Sequence, residues 1–123
     1  SKTSILNNLQ VQKPVSGAII AKFAATKPSV SFAATDGEEV KAVLAGNVIF
    51  VDNSSPNSAY IAIQADNQLV YILKNNSQIL KKTGNFVKEG ETIAIAGKGN
   101  KNNVSTLELW YRGQAIDAGK FLK

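Results

Sequence analysis

Histidine and cysteine, two of the side chains that most often do chemistry at neutral pH, are missing from this sequence. Histidine is the commonest metal ligand and a frequent general base near pH 7, and cysteine supplies the usual thiolate ligand. Carboxylate oxygens would therefore have to supply any metal site or acid–base pair. The sequence has nine such residues: Asp36, Glu38, Glu39, Asp52, Asp66, Glu89, Glu91, Glu108 and Asp117.

The spacing of these carboxylates favours exposed turns over a built site. Asp36, Glu38 and Glu39 share one predicted turn, and Glu89 and Glu91 flank a glycine in another. No EF-hand-like spacing supports a calcium or magnesium site, so we predict neither a metal nor another cofactor. Two carboxylates across a cleft can still cleave a glycosidic bond, so a carboxylate-based hydrolase stays an open alternative.

Other nucleophile and phosphate-binding schemes lack their residues. Serines are plentiful, but a Ser–His pair is excluded and no Ser-x-x-Lys run occurs. The segment Gly97-Lys98-Gly99 is too short for a phosphate-binding loop. The sequence therefore predicts no catalytic residue of these kinds.

The charge is basic but does not indicate nucleic-acid binding. The 123 residues carry a formal net charge of +5, and Arg112 is the only arginine among the 14 basic residues. Arginine offers the planar fork favoured for bases and phosphates, and the aromatic residues are not interleaved with the lysines. The lack of cysteine excludes disulfides without fixing the redox compartment.

The length predicts one main domain, from residue 14 to residue 123, with a linker or docking arm at Ser1–Lys13. No apolar run approaches the roughly 20 residues of a membrane span, and the arm lacks the apolar centre of a signal peptide. Because the chain contains no methionine, we expect that a signal or anchor preceding Ser1 has been removed.

Short strands separated by turn residues dominate the domain and predict an all-β fold with minimal helix. Ala45-Gly46-Asn47 predicts a bend or hairpin inside Val40–Val51, and Asn75–Lys82 predicts a single helical turn. The other predicted strands are Ala18–Phe23, Val30–Ala33, Tyr60–Gln64, Leu69–Leu73, Thr92–Ala96 and Thr106–Tyr111, with a final turn at Asp117–Phe121. The turn residues Asp66-Asn67 predict that Tyr60–Gln64 and Leu69–Leu73 form a hairpin.

Three blocks follow one another in a characteristic order. They are PVSGAIIAKF at Pro14–Phe23 leading into Val30–Val51, then Tyr60–Gly97 with its end KKTGNFVKEGETIAIAG, then ELWYRGQAIDAGKFL at Glu108–Leu122. Together they resemble the LytM/lysostaphin-type zinc endopeptidases, which cut peptide cross-links in bacterial cell walls. The resemblance implies a LytM-like β-sandwich or barrel, a duplicated hybrid motif of short antiparallel strands.

The same resemblance implies a degenerate site. Glu108 matches a glutamate of the family's own closing motif. The positions of the family's zinc ligands and catalytic histidines carry other residues in this chain. They are Lys27 and Ser31 for the first metal motif, Ala65 and Asn75 for two further histidines, and Val104 and Thr106 for the final His-x-His.

The resemblance implies a pseudoenzyme whose function is to bind a partner. Degenerate members of the family are associated with activating or positioning true wall hydrolases, so the expected partner is a cell-wall hydrolase or a peptidoglycan peptide. The expected location is the cell envelope, periplasmic or membrane-anchored outside the cytoplasm. Trp110 and Tyr111 face opposite sides of one strand, and with Lys81 and Lys82 they are candidate partner contacts.

A carrier domain is the remaining alternative. Val87–Ile95 and Ala45–Val48 also resemble segments of biotinyl and lipoyl domains. Those domains need a modifiable lysine at a hairpin tip, and the sequence has neither a Met-Lys nor an Asp-Lys-Ala tip. The chain is also longer than such a carrier.

Overall fold

The computed structural model describes residues 5–99 and 101–123. Ten strands and two short 3-10 helices, Ile5–Asn8 and Ala118–Phe121, make up its regular structure. The strands are β1 (Ile19–Ala21), β2 (Val30–Ala33), β3 (Glu39–Lys41), β4 (Gly46–Asp52), β5 (Ala59–Asp66), β6 (Leu69–Ile79), β7 (Phe86–Val87), β8 (Thr92–Lys98), β9 (Asn103–Tyr111) and β10 (Gln114–Ile116).

All ten strands belong to one antiparallel sheet, which confirms the predicted all-β class. The order along the sheet is β1-β2-β9-β8-β6-β5-β4-β7, with β10 added on β9 and β3 on β8. In the described part of the chain, no helix is long and apolar enough to cross a membrane.

The β5–β6 hairpin forms where the sequence predicts it. Asp66 accepts a hydrogen bond from the backbone N–H of Gln68 at 3.1 Å, an arrangement by which aspartate stabilises tight turns. Strand β6 then continues far beyond the hairpin, to Ile79. The helical turn predicted at Asn75–Lys82 is wrong, because the first five of these residues belong to this strand.

Strand β6 changes partner at Asn75. Residues Leu69–Lys74 pair with β9, whereas Asn76–Ile79 pair with β8. Between the two registers Asn75 adopts a positive φ of 65°, a left-handed conformation that asparagine tolerates better than most residues. The local sequence cannot predict this change of pairing partner, because it depends on strands that lie far along the chain.

The segment Val40–Val51 is divided between two strands that do not pair with each other. β3 pairs with β8, while β4 pairs with β5 and β7, so the chain forms no hairpin at Ala45–Asn47; it bends at Val43 and Leu44 instead. Gly46 begins β4 because the strand passes close to β5 there. A Cβ at this position would lie 2.4 Å from the carbonyl oxygen of Gln64.

The core is formed by the alternate residues of each strand that face inward, among them Phe32, Ile61, Tyr71, Leu107 and Leu109, all fully buried. The Tyr71 hydroxyl donates to the backbone carbonyl of Leu44 at 2.8 Å. Burial raises the pKa of Tyr71 because the charged phenolate would be poorly solvated there.

The chain segment before residue 14 reaches this core. Val11 is fully buried, and its N–H donates to the carbonyl oxygen of Phe121 at 2.8 Å. Lys123 N–H in turn donates to the Val11 carbonyl at 2.9 Å. The predicted division into an arm, residues 1–13, and a domain stays a prediction, and residues 1–4 lie outside the described part of the chain.

The C-terminal turn has the form that the sequence predicts. The Asp117 carboxylate accepts from the backbone N–H of Gly119 at 2.9 Å and begins the 3-10 helix Ala118–Phe121. Aspartate is favoured at this position because it satisfies a backbone donor that the helix leaves unpaired.

Candidate binding cleft

A depression of about 280 Å³, here called the cleft, lies where β1, β2, β6 and β9 meet. Five of the six positions predicted from the degenerate motifs line it, and three further residues that sequence reasoning missed complete it. The lining consists of Ile20, Ala21, Lys27, Ser31, Asn75, Gly99, Val104 and Thr106.

Two hydroxyls form the floor of the cleft. Ser31 and Thr106 are directly opposite each other on β2 and β9, and their side-chain oxygens lie 3.0 Å apart. Both residues are nearly buried, with 8% of their surface exposed. This cross-strand hydrogen bond uses one of the two hydroxyl protons, and no second partner of either hydroxyl occurs among the described residues.

Lys27 lies at the rim of the cleft, at the end of a tight turn that leads from β1 into β2. The turn is closed by two backbone hydrogen bonds between Ala24 and Lys27, each 3.0 Å long. Lys27 is exposed and forms no ion pair within the described residues. Its ammonium charge is therefore not neutralised at the cleft.

Asn75 enters the cleft because β6 changes partner at this residue. The carbonyl of Asn75 approaches β8 so closely that a Cβ at Gly97 would lie 2.8 Å from the carbonyl oxygen. The same Cβ would lie 2.7 Å from the side-chain oxygen of Asn57, which accepts from Lys98 N–H at 2.9 Å. The absence of a side chain at Gly97 thus permits the close strand packing beside the cleft.

An ion pair with a buried carboxylate extends the face of β9 that carries Thr106. Alternate residues of a strand share a face, so Thr106, Glu108 and Trp110 lie on the same side. Glu108 has only 7% of its side chain exposed; it pairs with Lys74 at 2.6 Å and accepts from the Trp110 indole N–H at 2.9 Å. The alternation in the Glu108–Tyr111 segment could have indicated this grouping, but the Lys74 partner could not be predicted locally.

The other predicted positions lie outside the cleft lining. Ala65 is on β5, half-buried, and packs against the hydrophobic core. Tyr111 also packs against the core, with Arg112 over its ring at 5.2 Å. Lys81 pairs with Glu91 at 2.5 Å, whereas Lys82 is exposed.

A larger depression, of about 480 Å³, is lined by two carboxylates and several lysines. Burial raises the pKa of Glu38 because it disfavours the charged form. Hydrogen bonds from the amide and hydroxyl groups of Thr35 and Ser16 have the larger effect, so the pKa of Glu38 is lowered overall. Glu39 accepts from the Thr92 hydroxyl at 2.8 Å and pairs with Lys41 at 3.0 Å. Both carboxylates are thus held by the protein's own donors.

Residues 16–118 match the family model described as peptidase family M23. The chain belongs to peptidase family M23. This finding confirms the predicted LytM/lysostaphin-type resemblance. No curated protein sequence matches the chain.

Solved structures show the same fold. A zinc-containing peptidase from Vibrio cholerae is 24% identical with a TM-score of 0.78, covering 89% of this chain and 39% of its own. Lysostaphin from Staphylococcus simulans is 20% identical with a TM-score of 0.68, covering 97% and 51%. A chain of the SpoIIQ–SpoIIIAH pore-forming complex is 18% identical with a TM-score of 0.76, covering 94% and 92%. The M23 chain described here therefore spans 39% of the first of these proteins.

The residues that the resemblance aligns with the M23 metal ligands do not fit a zinc ion. Catalytic zinc takes about three protein ligands from histidine, cysteine or carboxylate, with one position left for water. The cleft instead presents the Lys27 ammonium, which repels a cation, and the hydroxyls of Ser31 and Thr106, which bond to each other. Within the described residues no cluster of three or more acidic, histidine or cysteine side chains could hold a metal.

Proposed function

We propose that this M23 domain is a pseudoenzyme that works by binding in bacterial cell-wall remodelling, where it activates or positions a peptidoglycan hydrolase. The observation that carries the proposal is the direct Ser31–Thr106 hydrogen bond, 3.0 Å long, at two positions that the resemblance aligns with the family's metal ligands. A hydroxyl is a poor zinc ligand, and this pair already satisfies part of its own hydrogen-bonding capacity.

The retained cleft supports binding as the remaining role. Its shape is maintained by the β2–β9 register, the Asn75 conformation and the close packing at Gly97. These features are independent of any metal. A preformed concave site with a few polar groups is the usual form of a ligand-binding site.

A protein partner is supported by one structural relative. The SpoIIQ–SpoIIIAH structure is described as a pore-forming complex, so a chain of this fold takes part in a protein assembly. For the chain described here we propose a wall hydrolase or a peptidoglycan peptide as partner, and the cell envelope outside the cytoplasm as location. Trp110 and the exposed Lys82 are candidate contacts, with the half-buried Tyr111 and Lys81 beside them.

Metal content and wall cleavage test the inactive state directly. We expect the purified protein to contain no stoichiometric zinc by mass spectrometry and to release no soluble fragments from peptidoglycan, with or without added zinc. Addition of the domain to a purified wall hydrolase should raise the release above that of the hydrolase alone. Zinc-dependent release by the wild-type domain itself would refute the proposal.

Restoring the metal ligands provides the matched control. The combined substitutions Lys27→His, Ser31→Asp and Thr106→His supply three ligands in the family arrangement, so we expect this variant to take up one zinc per chain. The measurement is zinc content after dialysis against trace metal, alongside circular dichroism to verify folding. Equal zinc uptake by wild type and variant would mean that the site lies elsewhere.

A further inference from the structure

The cleft has a net positive charge. Lys27 is the one charged side chain among the eight residues that line it. Lys74 pairs with Thr106 in the β6–β9 register, and its ammonium charge is neutralised by Glu108 at 2.6 Å. Lys27 therefore gives the cleft an ammonium charge that no carboxylate of its lining neutralises.

The polar groups around Lys27 are suited to an acceptor-only ligand. An ammonium carries three donors and no acceptor. The Ser31–Thr106 pair has one hydroxyl proton left after its mutual hydrogen bond, and the Asn75 amide can supply another donor. A carboxylate accepts at both oxygens and donates nothing, so it can satisfy all of these groups at once.

The rest of the lining limits the size of the ligand that carries the carboxylate. Ile20, Ala21 and Val104 provide apolar walls, and Gly99 leaves space beside Val104. Ile20 has 56% of its surface exposed and gives an apolar contact at the rim. A cleft of about 280 Å³ with these walls admits a short peptide segment with small side chains.

We propose that the cleft binds a carboxylate of a small-residue peptide, with the Lys27 ammonium as the group that recognises it. This inference rests on the proposed binding function and names its ligand class. The carboxylate is either the free C-terminus of a peptide or an acidic side chain within one, and the chemistry of recognition is the same for both.

Three short probes separate these sources. They are N-acetyl-alanyl-alanine with a free carboxylate, the same dipeptide as its C-terminal amide, and an amidated N-acetyl-alanyl-aspartyl-alanine that carries only a side-chain carboxylate. Each is titrated into the whole chain and followed through backbone amide chemical shifts. We expect shifts at Ser31, Asn75 and Thr106, and an affinity for the free acid about tenfold higher than for the amide.

Matched lysine variants assign the effect to one residue. Lys27→Gln should reduce the affinity for the free acid to that for the amide, whereas Lys88→Gln, at an exposed lysine that does not line the cleft, should leave both affinities unchanged. Because both lysines are exposed, neither substitution is expected to affect folding, and circular dichroism checks this.

The outcomes distinguish this inference from the proposed function. Tight binding of the aspartyl probe alone would identify a side-chain carboxylate, and tight binding of the free dipeptide a C-terminus; both support the inference. Equal binding of all three probes, an unchanged affinity for the tighter-binding probe in Lys27→Gln, or no binding of any probe would overturn it. Those three results leave activation of a wall hydrolase standing, whereas zinc-dependent cleavage would overturn the proposed function itself.

Discussion

The ion pair between Lys74 and Glu108 gives the sharpest stability prediction. Glu108 is 7% exposed and Lys74 43%, so the pair lies between a surface salt bridge and a fully buried one. Surface pairs contribute about 0–1 kcal/mol, while removal of one partner from a buried pair costs roughly 3–5 kcal/mol. For Lys74→Met, which keeps the aliphatic stem and leaves the Glu108 carboxylate unpaired, we expect a loss of about 2 kcal/mol.

The assay is thermal unfolding followed by circular dichroism. For a domain of this length, about 2 kcal/mol corresponds to a decrease in Tm of roughly 8 °C. The matched control is Lys41→Met, since Lys41 pairs with the largely exposed Glu39 and its loss should change Tm far less. Adding Glu108→Gln to Lys74→Met should recover part of the stability, because the unpaired buried charge is then gone.

Equal shifts in Lys74→Met and Lys41→Met would refute the reasoning, because burial of the carboxylate would then not determine the cost. So would a Lys74→Met protein that is as stable as the wild type. In that case water or a rearranged Trp110 indole would have to satisfy Glu108 without help from the lysine.

Tyr71→Phe removes the 2.8 Å hydrogen bond to the Leu44 carbonyl, and urea unfolding at pH 7 should show a loss of about 1–2 kcal/mol. Because burial raises the pKa of Tyr71, the folded chain keeps a proton that the unfolded chain loses near pH 10. Wild-type stability should therefore fall as the pH rises past about 10, and the variant should lack this contribution. Gly97→Ala brings a Cβ to within 2.8 Å of the Asn75 carbonyl oxygen, so we expect a loss of about 1–3 kcal/mol in the same assay. Glu38→Gln should be less stable than wild type at pH 7, and the difference should vanish as the pH falls through the lowered pKa of Glu38; a difference that persists at pH 2 would contradict this.

The sequence predicted those parts of the fold that depend on local chemistry. The Asp66 turn and the alternating residues on either side of it specified the β5–β6 hairpin, and Asp117 specified the final turn. The error at Asn75–Lys82 and the choice left open at Ala45–Asn47 share one cause. In both places the conformation is determined by strands distant in sequence, so the local pattern could not distinguish an extended strand from a helical turn, or a bend from a hairpin.

The cleft was largely predictable for a different reason. The order of the family motifs, and not their individual residues, located Lys27, Ser31, Asn75, Val104 and Thr106, and the structure brings these five together. Residue spacing within a motif does not show which residues approach the cleft from other strands of the sheet. That is why the walls at Ile20, Ala21 and Gly99 were missed, and why the sixth position, Ala65, packs against the core instead.

A cleft whose floor is a hydrogen-bonded hydroxyl pair keeps its shape under other conditions than a metal centre does. A zinc site couples folding to the supply of free metal and to the protonation of its histidines. The Ser31–Thr106 hydrogen bond depends on neither. The sequence also contains no histidine or cysteine that could change charge between pH 5 and 8. The cleft should therefore be equally formed when zinc is scarce, when a chelator is present and when the surroundings become mildly acidic, so the proposed recognition role would not depend on the supply of metal.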